Sequence, residues 1–157
     1  MGQQQLILLV LATVIVGVAI VVGIRAFTEN SAKSNADAMT QDAVRMASDA
    51  QAWFKKPVPF GGPDATTRAA GFAASNFTLA DIDRGAAGGT YTNLNGVFSI
   101  EAGGIIRGEN VDEQNEITVT VDGLTDADIT GAIVCLGGSD PAGDPCTVAA
   151  PAAGAGG

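Results

Sequence analysis

The side chains with the most reactive chemistry in this sequence are two cysteines. Cys135 and Cys146 stand eleven positions apart around Gly137, Gly138, Pro141, Gly143 and Pro145. Thiols at that spacing across turn-forming residues imply one disulfide closing residues 136–145, and hence an oxidising compartment outside the cytoplasm. Two thiols without any histidine make a poor zinc site. The acids offer a second chemistry. Asp81/Asp83 and Asp126/Asp128 are D-x-D pairs, and Glu109, Asp112, Glu113 and Glu116 fall close together in what reads as a loop. Calcium takes such oxygen ligands, but the spacing fits no EF-hand, and a solvated acidic surface is the simpler reading. The absence of histidine also removes the commonest general base. The glycines form no phosphate-binding pattern after a strand. Neither an enzyme nor a cofactor is expected. Asn76-Phe77-Thr78 is an N-x-T glycosylation sequon.

The elements that carry these residues divide the chain into three parts. Residues 1–25 form an apolar transmembrane or fibre-core helix, residues 26–56 an amphipathic helix continuing it, and residues 57–157 an acidic, β-rich head. Charge follows this division. The head carries thirteen acids against three arginines (Arg68, Arg84, Arg107), whereas residues 26–56 are close to neutral. An acidic head argues against nucleic acid as a partner, since phosphate contacts need basic side chains. With about a hundred residues, few aromatics and much glycine, the head is near the lower size for an independent core.

Residues 6–24, LILLVLATVIVGVAIVVGI, contain no charge, and Thr13 is the one hydroxyl among them. As a helix they span about 28 Å, close to a bilayer core of roughly 30 Å. Gly17 and Gly23 lower helix propensity by roughly 1 kcal/mol each. With Ala12, Thr13 and Ala19 they permit close approach of another helix. No basic residue precedes the run, and Arg25 follows it. Taken alone, Arg25 would hold the C-terminal side in the cytoplasm, which conflicts with a disulfide. A basic leader already removed, or dedicated export machinery, reconciles the two.

Ala32, Ala36, Met39, Ala43, Met46, Ala50 and Trp53 follow at alternating steps of four and three. This is an apolar seam at heptad spacing, made mostly of alanine. It is expected to face close neighbours in the head or in other subunits, with a dimeric stalk as the alternative. Lys33–Asp37, Asp42–Arg45 and Arg45–Asp49 are expected as ion pairs along the remaining faces. Trp53 and Phe54 are placed to meet the head. Pro57 and Pro59 end the helix.

Beyond them, residues 64–89 read as irregular with at most one helical turn, near Leu79-Ala80-Asp81-Ile82-Asp83. Strands follow. Residues 90–92 and 97–101 flank Asn95-Gly96, a hairpin signal. A short strand is expected at Ile105-Ile106-Arg107. Residues 116–121 alternate, with Ile117, Val119 and Val121 on one face. Thr125 or Asp126 caps a short turn. Residues 129–136 form a further strand or a helical segment, and residues 148–157 an extended tail. The expected class is α+β: a long N-terminal helix packed on a small antiparallel sheet with a C-terminal disulfide loop.

This order of parts resembles the type IV pilin superfamily, which comprises bacterial pilins, the pseudopilins of secretion systems and archaeal pilins. The resemblance covers the architecture of the whole chain and is close in sequence over about residues 1–27. It implies a structural subunit of an extracellular helical filament of identical copies. Such a subunit sits in the inner membrane before assembly, is processed by a prepilin peptidase, is N-methylated and is handled by an ATP-driven assembly machine. Family members carry glutamate at the fifth mature position and often proline near position 22. With Met1 as the first mature residue, those positions hold Gln5 and Val22. Met1, Gln5, Gly17, Gly23, Ala36, Ala43 and Ala50 are the residues expected to serve assembly. The rival expectations are a minor pilin or pseudopilin, and a single-pass membrane protein carrying an extracellular binding domain. The alanine seam is expected to disfavour the last, because a lone stalk needs no apolar stripe.

Overall fold

The computed structural model describes residues 2–72, 77–85 and 88–148. Contacts divide the chain into two units, Met1–Ser31 and Ala32–Gly157. Helix α1, Gly2–Lys55, enters both. Residues 2–30 are exposed at every position.

In the second unit α1 supplies one layer and a five-stranded antiparallel sheet the other. The strands are β1 (Tyr91–Thr92), β2 (Val97–Glu101), β3 (Ile105–Asn110), β4 (Asn115–Val121) and β5 (Ile129–Cys135), and they lie in sequence order. Every link is a turn between neighbours, so the local hairpin signals largely fix the topology. The β1–β2 hairpin closes where Asn95-Gly96 predicted it: the Asn93 N–H donates to the Gly96 carbonyl at 3.0 Å, and the Asn93 side chain accepts from the Asn95 and Gly96 N–H groups.

Ile117, Val119 and Val121 are all buried, as their alternation requires. They meet Met39, Ala43, Met46 and Ala50 of α1 in one cluster with Phe98 and Ile106. Phe98, Gly108 and Ile117 sit opposite one another on adjacent strands. The Phe98 ring lies over Gly108, where a Cβ would come within 2.8 Å of Phe98 Cε1 and 3.1 Å of Ile117 Cγ1. Any side chain there would push the ring out of the core.

α1 stops as expected before Pro57. The Trp53 indole N–H donates to the Gly61 carbonyl at 2.9 Å, and Arg68 donates to the Lys56 carbonyl, so the turn folds back under the helix end. The Phe54 and Phe72 rings pack at a tilt with centroids 5.2 Å apart, and Phe72 and Phe77 do so at 5.8 Å.

Three expectations are corrected. The segment read as irregular contains a helix, α2 (Ala65–Ala70), capped by Asp64, which accepts from the Thr67 N–H at 2.7 Å. Asp64 after Pro63 is the usual start signal, hidden by the shortness of the helix it starts. The β3 strand runs to Asn110, and within it Arg107 pairs across to Glu101 of β2 and Glu116 of β4. The expected ion pairs along α1 do not form at Asp42 and Asp49. Asp42 instead accepts from the Asn93 and Asn95 amides, and Asp49 pairs with Arg84 at 2.8 Å. Partners fixed by the fold outcompete mobile helix-surface cations. Residues 129–135, open between strand and helix in the sequence, are a strand. Met1, Asn76 of the sequon and residues 149–157 of the tail lie outside the described residues.

Candidate functional site

The large exposed apolar side chains of the first unit run from Leu6 to Ile24, with Phe27 beyond them. They cover all sides of the helix rather than one stripe. An all-round apolar helix needs an apolar solvent or neighbours on every side. The helix is long and apolar enough to cross a membrane. Its hydroxyls are satisfied internally: Thr13 donates to the Val10 carbonyl at 2.8 Å and Thr28 to the Arg25 carbonyl at 2.9 Å. No polar side chain in the run is therefore left in need of water. A Cβ added at Gly17 or Gly23 would meet nothing within 4 Å. Nothing in the chain's own fold explains these glycines, although each weakens the helix. Gln5, the expected polar partner at the helix start, is exposed.

The other expected assembly residues lie elsewhere. Ala36, Ala43 and Ala50 are 1%, 0% and 0% exposed and are covered by the head of the same chain. The seam is an internal contact and leaves no surface for a neighbouring subunit or a dimeric stalk. It therefore does not disfavour a single-pass anchor, contrary to the expectation from sequence.

An amide cluster that the sequence did not flag fixes this contact. Asn115 is fully buried. Its amide donates to the Ala32 carbonyl at 2.8 Å and to Asn35 Oδ1 at 2.9 Å, and its oxygen accepts from the Gly137 N–H at 2.9 Å. One side chain thus ties α1, β4 and the disulfide loop together. Asn35 and Asn110 both donate to the Asn95 carbonyl at 2.8 Å, adding the hairpin tip. A signal existed: Asn115 shares the inward parity of Ile117, Val119 and Val121, and a polar residue at a core position requires partners.

Cys135 and Cys146 are disulfide-bonded, with Cα atoms 6.1 Å apart. The acids separate into roles other than a shared cation site. Asp81 accepts from the Thr78 N–H and hydroxyl, and Asp128 from those of Thr125, closing tight turns. The Thr125 hydrogen bonds hold the Asp128 carboxyl below its usual range, and those from Thr67 do the same for Asp64. Glu109 and Glu116 are not in a loop but on β3 and β4, around Arg107. The guanidinium lies 2.8 Å from Glu109, 2.9 Å from Glu116 and 3.4 Å from Glu101. Glu109 is 5% exposed and its Oε2 has no hydrogen-bond partner. Burial pushes its carboxyl above the ordinary range; the Arg107 cation opposes this, while Glu116 and Glu101 reinforce it. Among the described residues, no group of three or more metal-ligating side chains is arranged to hold a metal ion.

No family model, curated protein or solved structure matches this chain. The functional reading therefore rests on the apolar helix exposed on all sides and on a head that seals the seam of α1 within the same chain.

Proposed function

We propose that this chain is a structural subunit of an extracellular filament of the type IV pilin kind, assembled from identical copies through its apolar helix. The observation that carries the reading is the run of residues 6–24, uncharged, exposed on all sides and interrupted by glycines that the chain itself does not require. Small residues with open space above them suit close helix–helix approach. Moving such a helix from lipid into a bundle of like helices changes its apolar exposure little, so assembly and retraction can be nearly balanced and driven by a motor. Transfer into water would instead cost roughly 1.5–3 kcal/mol for each large side chain, which keeps a finished fibre from shedding subunits. In this reading the subunit waits in the inner membrane, a prepilin peptidase and the assembly machinery act on it, and the disulfide-closed head ends at the cell surface. Gln5 replaces the carboxylate of the family with an amide, which still accepts a hydrogen bond from a neighbouring amine without the cost of burying a charge.

A second reading is favoured by one observation. The seam is satisfied within one chain, so the second unit needs no other subunit, as in a single-pass anchored domain. Electron microscopy of surface material sheared from cells expressing the chain separates the two. Long fibres labelled by an antibody to the head support the filament. Label confined to membranes, with no fibres, overturns it. A minor pilin or pseudopilin gives short or sparse fibres that depend on another major subunit.

A further inference from the structure

The two edges of the sheet are built differently. β1 has two residues, and the Arg84 guanidinium covers its Tyr91 at 5.4 Å. β5 has seven residues, every one from Thr130 to Val134 is exposed, and its outer edge pairs with no other strand among the described residues. Ile133 and Val134 are 40% and 39% exposed. Ile133 and Gly131 stand opposite Ile117 and Val119, on the face turned toward α1. Yet a Cβ at Gly131 would meet only Val119 Cγ2 at 3.7 Å and Thr118 O at 4.0 Å, both from β4. The helix leaves residues 130–134 uncovered, while Ile129 packs against the core and Cys135 is buried. Long apolar edges are usually blunted by lysine, proline or inward charge. β5 has none of these; its one blunting feature is a bulge near its end at Val134, where Glu116 and Ile117 pair with Cys135 and Ile133, and residues 129–133 keep a regular register.

The charge pattern identifies the occupant. The head carries thirteen acids and three arginines, but residues 129–139 contain no charge at all. Two such heads repel wherever their acids meet, and this strip lets them touch. A basic partner would find no acid on it. We infer that β5 is a self-association surface that pairs antiparallel with β5 of a second copy, about a two-fold axis at Ala132. That register sets Ile133 of each copy beside Gly131 of the other, a large side chain next to a gap. It sets Thr130 beside Val134. The contact is isologous and self-complementary, and joins two five-stranded sheets into one.

A two-fold normal to the sheet reverses the second copy's segment 32–55. The contact therefore links heads whose 32–55 segments run in opposite directions. It stands on the head alone and does not depend on the filament reading.

The test uses the full chain in lipid nanodiscs loaded with one copy each, with pairing of discs measured by light scattering as salt is raised. Pairs are expected to increase toward about 0.5 M salt, as repulsion between the acidic heads is screened. Ala132→Lys and Ala132→Glu should each weaken pairing about tenfold or more, by setting like charges opposite each other. An equal mixture of the two should restore it. Thr130→Lys mixed with Val134→Glu provides an independent matched pair at other positions. Thermal transitions equal to the parent's establish that the variants fold. Discs that stay single at every salt concentration overturn the proposal. So does an Ala132→Lys that pairs more tightly than the parent, since only net charge would then matter, or a mixture no better than its components.

Discussion

Residues 6–24 and residues 32–54 belong to the same helix, and both are rich in apolar side chains, but they use them in opposite ways. In the first stretch large β-branched and leucine side chains point in all directions and none is buried. In the second, one stripe of small residues, methionines and a tryptophan is sealed against the sheet, while the other faces are polar. The difference lies in side-chain size as much as in hydrophobicity. The small alanines of the helix face a sheet whose own inner face is bulky, with Phe98, Ile106, Ile117 and Val119 filling the space between them. An all-round Leu/Ile/Val surface cannot approach a single partner in this way, and it has to be solvated by lipid or by several helices. The seam thus completes the head, and the run before it is left exposed on every side.

The sharpest way to break this contrast is to truncate one aromatic in each half. Trp53 is 6% exposed and Phe27 is 75% exposed. Trp53→Ala should destabilise the head by about 3–5 kcal/mol, and Phe27→Ala should leave head stability unchanged, as measured by calorimetry of the full chain in detergent. Equal effects would mean that the two halves are not distinct. Next in size, opening the disulfide by Cys135→Ser with Cys146→Ser should cost about 2–3 kcal/mol for so short a loop. The far-ultraviolet helical signal of residues 2–30 should survive melting of the head. Loss of both signals together would couple the two units.

Ala43→Leu adds volume to a fully buried seam position and should cost about 1–3 kcal/mol of head stability. Ala12→Leu, in the exposed run, should cost the head nothing. A stable Ala43→Leu head would mean that the helix stands off the sheet. The smallest effect concerns Glu109 on the outer face of the sheet. Its folded-state carboxyl lies above its unfolded value, so its contribution is fully present below the unfolded pKa and is lost as pH rises through the folded one. Glu109→Gln removes that loss, and Arg107 keeps Glu101 and Glu116. The variant's melting temperature should match the parent's near pH 4 and exceed it at neutral pH. A parent more stable at neutral pH would show that the Arg107–Glu109 pair outweighs the burial.

Much of this architecture is local and can be read directly from the sequence. An uncharged run of membrane length, a stripe repeating every three and four residues, a proline stop, an Asn-Gly hairpin and strict alternation at 116–121 each name an element. Short connections then leave a meander as the simplest order. Two thiols across a turn-rich loop likewise indicated their bond. Periodicity also revealed which face of α1 is apolar, but not what covers that face, because a stripe carries no information about its partner. The partner depends on contacts between residues far apart in the chain, as between Asn115 and Ala32, 83 positions away. The same holds for Asp42 and Asp49, whose neighbours along the helix lost to Asn93, Asn95 and Arg84, and for Glu109, whose burial comes from adjacent strands. β5 is the clearest case. Its composition reads as core, yet it sits at an edge with residues 130–134 uncovered, and only the packing of one layer on another decides where the covering ends.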